Sequence, residues 1–278
     1  MAGAARDLTG QVILITGASS GIGLAAATAL AARGAGIVIV GRDKDRLREA
    51  VSQVAAAGGP RPLSYEADFT RLDDVHLLAD QLRQRLRRID VLASNAGLVV
   101  LGKKTTVDGH EETVQVNHLG GFLLAHLVRE QLRGGRLVVT SSDVHKSRGI
   151  DPANLSANTG WAAYSASKSA NILFAQEANR RWPDVTAVSF HPGVVRSRFS
   201  SGTLMRPLFS INPFLISPAK GADTLVWLAS AQPNELQPGG FYVKRTLKTP
   251  AAHATDQQTA ARLWDASLAA VGIGWASP

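Results

Sequence analysis

Short apolar runs alternate regularly with longer helical patterns along these 278 residues, and this alternation limits the possible folds more than any other feature. Runs that are apolar throughout and rich in β-branched residues are typical of parallel strands buried on both faces. Because parallel strands are joined by right-handed crossovers, the pattern predicts an α/β fold: a doubly wound, mostly parallel sheet of seven strands with helices on both faces. The predicted strands are Val12–Thr16, Ile37–Val40, Leu63–Glu66, Val91–Ser94, Arg136–Thr140, Val185–Ser189 and Phe241–Val243, of which the third and the last are weaker.

The helical patterns lie near residues 21–33, 45–56, 73–87, 109–133 and 161–182. Asp43 or Asp45 can cap the second helix, and Thr70 with Asp73 predicts a capping box at the start of the third. No linker, repeat or low-complexity tract divides the chain, so we expect residues 1–278 to form a single domain.

Two irregular stretches, residues 143–160 and 198–217, interrupt the alternation. Ligands of a doubly wound sheet bind beyond the carboxyl ends of its strands, so we expect both stretches to form the rim of a site there. Residues 198–217 are rich in apolar side chains, and we interpret them as a loop or lid that contacts an apolar ligand. A core-packing loop, an oligomer contact and a lid that touches a membrane are the competing interpretations.

Composition and charge exclude several classes of protein. The chain is 45% hydrophobic, which excludes disorder, and has no cysteine, which excludes a disulfide scaffold. The uncharged stretch 8–32 is broken by Gly17–Gly21 into a short strand and a short helix, so we expect no signal peptide, no transmembrane segment and a cytoplasmic protein. The net charge of +8 suits a phosphate-bearing ligand. No nucleic-acid recognition motif accompanies the arginine-rich run 83–88, which is interpreted as a solvated helix face, and we expect no nucleic-acid partner.

A glycine-rich loop follows the first predicted strand and opens the first helix. It reads Gly17, Ala18, Ser19, Ser20, Gly21, Ile22, Gly23, a spacing of Gly-x3-Gly-x-Gly. Glycines permit the tight turn and let backbone amides approach a pyrophosphate, which the helix N-terminus then stabilises. The loop therefore predicts nucleotide binding.

This loop resembles that of the short-chain dehydrogenase/reductase family, and the resemblance continues along nearly the whole chain, implying a single-domain Rossmann fold. Ser94 to Gly97 resembles the family's Asn-Asn-Ala-Gly, with Ser94 in place of the first Asn. Asp68 matches an adenine-contacting acidic residue, and the turn at Pro192-Gly193 matches one that approaches the nicotinamide carboxamide. The cofactor-binding residues implied by the resemblance are Gly17, Ser19, Ser20, Gly21, Ile22, Gly23, Arg42, Asp68, Phe69, Asn95, Ala96, Gly97, Tyr164, Lys168, Pro192, Gly193, Val195 and Ser197.

Tyr164 and Lys168 are four residues apart and project from one helical face. A phenol with a pKa near 10 is a poor acid–base group at neutral pH, and a neighbouring ammonium lowers that pKa toward the working range. The resemblance makes these two catalytic, adds Ser142, with Ser141 as the alternative, to orient the substrate oxygen, and adds Asn117 to hold a water for proton relay. The 22 residues between Ser142 and Tyr164 resemble the retinol-dehydrogenase-like branch.

The end of the second strand predicts the choice of cofactor. NAD-preferring relatives usually place a carboxylate there for the ribose hydroxyls. Here Val40 is followed by Gly41 and Arg42, so the acidic position is empty and a guanidinium can clamp a 2′-phosphate. We therefore expect NADP(H), with NAD(H) as the less favoured cofactor.

The family's substrate-binding segment falls at residues 198–217, so the resemblance implies a substrate-binding loop or lid there, and its apolar content predicts a lipophilic substrate. The resulting prediction is an NADP(H)-dependent oxidoreductase that exchanges hydride with a lipophilic carbonyl or alcohol and contains no metal. The family's usual association through helices that correspond to residues 109–133 and 161–182 implies a homodimer or homotetramer. A non-catalytic nucleotide sensor or scaffold on the same fold is the alternative class. Retention of Asn117, Ser142, Tyr164 and Lys168 as a set favours the enzyme.

Overall fold

The computed structural model describes residues 6–195 and 216–274, and their strands form one sheet. The strand order is β3-β2-β1-β4-β5-β6-β7-β8, with all neighbours parallel except β7 and β8. The strands are β1 (Val12–Thr16), β2 (Gly36–Gly41), β3 (Leu63–Glu66), β4 (Val91–Ser94), β5 (Arg136–Thr140), β6 (Thr186–His191), β7 (Phe241–Val243) and β8 (Thr246–Lys248). This order reverses direction between β1 and β4, which confirms the doubly wound arrangement.

The predicted count of seven strands is wrong by one. β8 pairs antiparallel with β7 through a two-residue turn, in which Lys244 and Arg245 have φ of 50° and 62°. Two-residue hairpin turns of this kind usually contain Asn-Gly or Asp-Gly, which makes them recognisable in a sequence. The chain has Lys-Arg there, and β8 is exposed along its length, so neither the turn chemistry nor an apolar run marked this strand.

Helices cover both faces of the sheet. They are α1 (Gly21–Ala31), α2 (Lys44–Ala55), α3 (Leu72–Arg85), α4 (Glu112–Val114), α5 (Gly120–Leu127), α6 (Gly160–Arg181), α7 (Pro218–Ser230) and α8 (Gln257–Ala270), with a π-helical segment, Gln115–Leu119, between α4 and α5. Alternate residues of the central strands feed two separate cores: Leu14 packs toward α3, α5 and α6, whereas Ile13 and Ile15 pack toward α1, α2 and α7. This burial on both faces explains why the strands are apolar throughout.

Two predicted helix features are corrected. The third helix is not capped by Thr70: Arg71 occupies the cap position, and the amide of Leu72 donates instead to Asp108 Oδ2 at 3.0 Å. The predicted helix over 109–133 is shorter and interrupted by the π-helical segment. Asp43 caps α2 as expected, by accepting from the Arg46 amide at 3.0 Å.

Helix α8 packs against both α5 and α6. Its Trp264 lies in an aromatic cluster with Phe122 and His126 of α5 and Phe174 of α6, at ring-centroid distances of 4.8 to 6.0 Å. These are the helices through which the resemblance implies association between copies. In this chain α8 contacts both of them through Trp264.

Among the described residues no helix combines the length and the apolar character needed to cross a membrane.

Candidate active site

The glycine loop closes tightly on the end of β4. Gly17 and Gly21 have φ of 66° and 58°, in the left-handed region that side chains disfavour. A Cβ on Gly17 would lie 2.8 Å from Ala96 Cα, and one on Gly23 would lie 2.5 Å from the Gly17 carbonyl oxygen. Both positions therefore have room for glycine alone.

The first turn of α1 suits an anion. Ser20 is the cap residue, yet its side chain makes no capping hydrogen bond, and the first turn holds no acidic side chain. The amides at the start of a helix lack partners within it and carry the positive end of the helix dipole. The loop and this helix start fit the pyrophosphate of a dinucleotide.

Asn95 ties three strands together at the floor of the site. Its backbone amide donates to Thr16 Oγ1 and its side-chain Nδ2 donates to the Thr16 carbonyl, each at 2.9 Å. Thr140 Oγ1 donates to Asn95 Oδ1 at 3.3 Å, and the amide of Ala96 donates to Thr16 Oγ1 at 2.9 Å. The side chain predicted to bind the cofactor thus joins the carboxyl ends of β1, β4 and β5.

The end of β2 packs closely around Gly41, so a side chain there would require Ser19 to shift. A Cβ there would lie 2.9 Å from Ser19 Oγ and 3.3 Å from Leu47 Cδ2. The next side chain, Arg42, is exposed, and its guanidinium makes no hydrogen bond or close ion pair within the described part of the chain. Asp43, which follows, serves as the α2 cap.

The other predicted cofactor residues are placed as follows. Asp68 is half-buried and accepts from the Thr70 amide at 3.0 Å. Phe69 is buried against Gly120, where a Cβ would meet its ring at 2.8 Å, so its side chain belongs to the core. Val195 forms a bridge with Ile216 beyond the turn at Pro192 and Gly193. Ser197 and most of the predicted loop, residues 198–215, lie outside the described residues.

Ser142, Tyr164 and Lys168 come together at the carboxyl end of β5. The Tyr164 and Ser142 hydroxyls are hydrogen-bonded. Lys168 Nζ lies 5.5 Å from the centroid of the Tyr164 ring and donates to the Thr140 carbonyl oxygen at 3.2 Å. Ser141 points the other way and donates to the Lys168 carbonyl oxygen at 2.7 Å, so geometry places Ser142 rather than Ser141 beside the tyrosine.

Burial dominates the protonation of this group. It raises the pKa of the Tyr164 hydroxyl to about 12, and the hydrogen bond with Ser142 opposes the rise. It also lowers the pKa of the Lys168 ammonium to about 8. The direction for tyrosine is opposite to the one expected from the spacing alone, because desolvation disfavours the phenolate. Tyr164 therefore holds its proton at neutral pH, as a general acid must.

Asn117 lies in the π-helical segment and fastens the loop after β4 to α6. Its Oδ1 accepts from the Leu98 amide at 2.7 Å, and its Nδ2 donates to the Leu98 carbonyl and to Ser167 Oγ at 2.9 and 3.0 Å. A Cβ on Gly97 would lie 3.1 Å from Asn117 Oδ1 and 3.5 Å from Lys168 Nζ, so this loop reaches the lysine. The predicted water relay through Asn117 stays a prediction.

Sequence reasoning overlooked Asn171, whose side chain reaches the same carbonyl oxygen as Lys168. Its Nδ2 donates to the Thr140 carbonyl at 3.0 Å. The available signal was its spacing: a polar residue three positions after Lys168 lies on the same face of a mostly apolar helix.

Comparisons with known proteins show the family of this chain. The family described as short chain dehydrogenase matches residues 11–204. A Streptomyces sp. (strain C5) protein, assigned as daunorubicin C-13 ketoreductase DnrU, is 53% identical over 269 residues, or 95% of this chain and 94% of that protein. Human retinol dehydrogenase 14 is 35% identical over 95% of this chain and 87% of its own length.

Solved structures show the same fold. The crystal structure of a Mycobacterium paratuberculosis protein gives a TM-score of 0.80 at 28% identity, covering 97% of this chain and 96% of that one. A blue fluorescent protein from a metagenomic library, in complex with NADPH, gives 0.69 at 25% identity, covering 85% and 96%. The chain therefore belongs to the short-chain dehydrogenase/reductase family of oxidoreductases, which act on CH–OH and C=O groups.

Proposed function

We propose that this oxidoreductase is an NADP(H)-dependent ketoreductase for a lipophilic ketone, with Tyr164 as its general acid. The observation that carries the proposal is the group at the end of β5, where the half-buried Tyr164 is hydrogen-bonded to buried Ser142 and its ring stands beside buried Lys168. A carbonyl oxygen placed between the two hydroxyls would accept a hydrogen bond from each. Polarisation of the carbonyl in this way makes its carbon a better hydride acceptor.

NADPH, when bound, supplies the hydride for the carbonyl carbon. The residues of this chain manage the proton. As negative charge develops on the substrate oxygen, the Tyr164 hydroxyl donates its proton there, and Ser142 continues to hold the oxygen in place. The Lys168 ammonium, buried and directed at the Thr140 carbonyl, stabilises the phenolate that remains. Reversal of these steps would oxidise the alcohol.

The preference for NADP(H) rests on the end of β2. Gly41 cannot carry a carboxylate without displacing Ser19, and Arg42 has a guanidinium free to pair with a 2′-phosphate. The glycine loop and the start of α1 would hold the pyrophosphate.

An apolar surface beside Tyr164 supports a lipophilic substrate. Trp161, one turn before Tyr164 on α6, is 54% exposed and meets the tyrosine ring edge-on at 5.6 Å. Leu101 is 45% exposed, and its carbonyl oxygen would lie 3.1 Å from a Cβ on Gly160, at the start of the same helix. The two curated relatives described above are named for daunorubicin and for retinol, which are both lipophilic. We infer a bulky ketone of the polycyclic aromatic kind, because an exposed indole face binds flat rings well.

The proposal is tested by NADPH consumption with a panel of ketones and aldehydes, from small aliphatic ones to polycyclic aromatic ones. Tyr164→Phe should bind NADPH as the wild type does while kcat falls by roughly 10²- to 10⁴-fold, the usual contribution of a general acid. Wild-type turnover by this variant on the best ketone would show that Tyr164 is not the acid.

A further inference from the structure

We propose that Asn171, His118 and Ser267 act as positioning residues for Lys168 and connect helix α8 to the active site. These three residues, called the Asn171 network below, are each 2% exposed or less. The inference rests on the proposed function, since it takes Lys168 to be part of the catalytic group.

The first link is the carbonyl oxygen at the end of β5. Lys168 Nζ donates to the Thr140 carbonyl at 3.2 Å, and Asn171 Nδ2 donates to the same oxygen at 3.0 Å. A carbonyl oxygen has two lone pairs, and here each has a donor. Asn171 therefore confines the lysine ammonium to the remaining lone pair and fixes its direction.

The second link joins Asn171 to the π-helical segment. Its Nδ2 also donates to the Asn117 carbonyl oxygen at 2.9 Å. Both hydrogens of the amide are thereby used on two backbone carbonyls, one on β5 and one in the segment that holds the loop after β4. A single side chain thus sets the distance between the two elements that flank Lys168.

The third link joins Asn171 to α8 through His118, and the contacts of the ring determine which of its nitrogens carries the hydrogen. The Oδ1 of an amide accepts hydrogen bonds and donates none, and His118 Nδ1 lies 3.3 Å from Asn171 Oδ1. Nδ1 therefore carries the hydrogen, and Nε2 accepts from Ser267 Oγ at 2.9 Å. Burial lowers the pKa of His118 to about 4, which keeps the ring neutral, as this arrangement requires.

Each buried donor in the Asn171 network has an acceptor, and such chains hold a geometry because a break leaves a buried polar group without a partner. Displacement of a catalytic group by about 1 Å can lower turnover by roughly 10²-fold. The network should therefore affect kcat through the location of Lys168, although none of its three side chains needs to touch the substrate.

The test uses Asn171→Leu, which keeps the approximate volume but removes every hydrogen bond, and Ser267→Ala, which removes the far end of the network. We expect kcat to fall roughly 10- to 100-fold in the first and about 2- to 5-fold in the second, while KM for the ketone changes less than about threefold. The solvent deuterium isotope effect on kcat should rise in both, because proton transfer becomes slower when the lysine is misplaced.

A matched control is Ser169→Ala. Ser169 is a neighbour of Lys168 on α6 and is fully buried, but its hydroxyl has no partner among the described residues. Its removal should leave kcat and the isotope effect at wild-type values.

Wild-type kcat and isotope effect in Ser267→Ala, or in a folded Asn171→Leu, would overturn the inference even if the melting temperature fell. If Asn171→Leu does not fold, Ser267→Ala alone tests the inference. Tyr164→Phe distinguishes failure of this inference from failure of the proposed function. If Tyr164→Phe loses turnover while the network variants keep wild-type kcat, only the role of the Asn171 network is refuted. If Tyr164→Phe keeps full activity, the proposed function is refuted.

Discussion

Replacement of Arg42 by alanine should reduce the use of NADPH without affecting the use of NADH or the stability of the fold. The guanidinium is exposed and makes no hydrogen bond or close ion pair within the described ranges. Its attraction to the Asp43 carboxylate is the smallest of the interactions that lower the pKa of that group, so its removal should cost the fold little. A hydrogen-bonded contact to a charged group contributes about 1.5–3 kcal/mol, which corresponds to roughly 10- to 100-fold in kcat/KM for NADPH. The kcat/KM of Arg42→Ala for NADH should stay within about twofold of the wild-type value, since NADH has no 2′-phosphate.

The assay is steady-state kcat/KM for both cofactors with one ketone at saturation, at two salt concentrations. Salt screens exposed charges, so the wild-type preference for NADPH should shrink at the higher concentration, and that of Arg42→Ala should shrink much less. Arg48→Ala is the matched control: its side chain is 77% exposed and pairs with Asp45, so the same charge is lost elsewhere on α2. Equal use of both cofactors by the wild type, or an equal loss for both in Arg42→Ala, would refute the assignment.

Gly41→Asp is a poorer test of the same idea. Its Cβ would meet Ser19 Oγ at 2.9 Å, so the variant would disturb the loop after β1 as well as the ribose site. A loss of activity in that variant would not separate cofactor choice from local packing.

Two further predictions concern acid stability and substrate size. Burial lowers the pKa of His126 to about 4 from 6.5, so the unfolded state binds more protons below pH 6.5, and the stability present above that pH is lost as pH falls toward 4. This amounts to about 2 kcal/mol at pH 5 for such a histidine. His126→Gln should therefore reduce the difference between the free energies of unfolding by urea at pH 7 and pH 5, and an unchanged difference would contradict this prediction. Trp161→Ala should raise KM for polycyclic aromatic ketones at least about fivefold more than KM for small aliphatic ones, because burial of a flat ring against the indole contributes roughly 1 kcal/mol or more. An equal rise in KM for both classes would place Trp161 outside the substrate site.

Local patterns in the sequence were enough for most of the fold. Strands buried on both faces must be apolar throughout, so the central strands were visible as short apolar runs, whereas β3, whose residues alternate between half-buried and exposed, gave a weaker signal. The glycine spacing placed the nucleotide loop, because only glycine adopts these backbone angles beside Ala96 without a clash. β8 was not predicted, because an exposed edge strand of three residues has no run of apolar side chains.

The sequence by itself determined the fold class, the family and the residue types of the site, because backbone conformation and helical spacing depend on neighbours along the chain. Tertiary structure decided what depends on contacts between distant segments. It chose between Ser141 and Ser142, which adjacent positions leave open, since successive side chains at a strand end point to opposite sides and only the location of α6 shows which side holds the tyrosine. It set the direction of the tyrosine pKa, because burial is a property of the packed core and outweighs a charge four residues away.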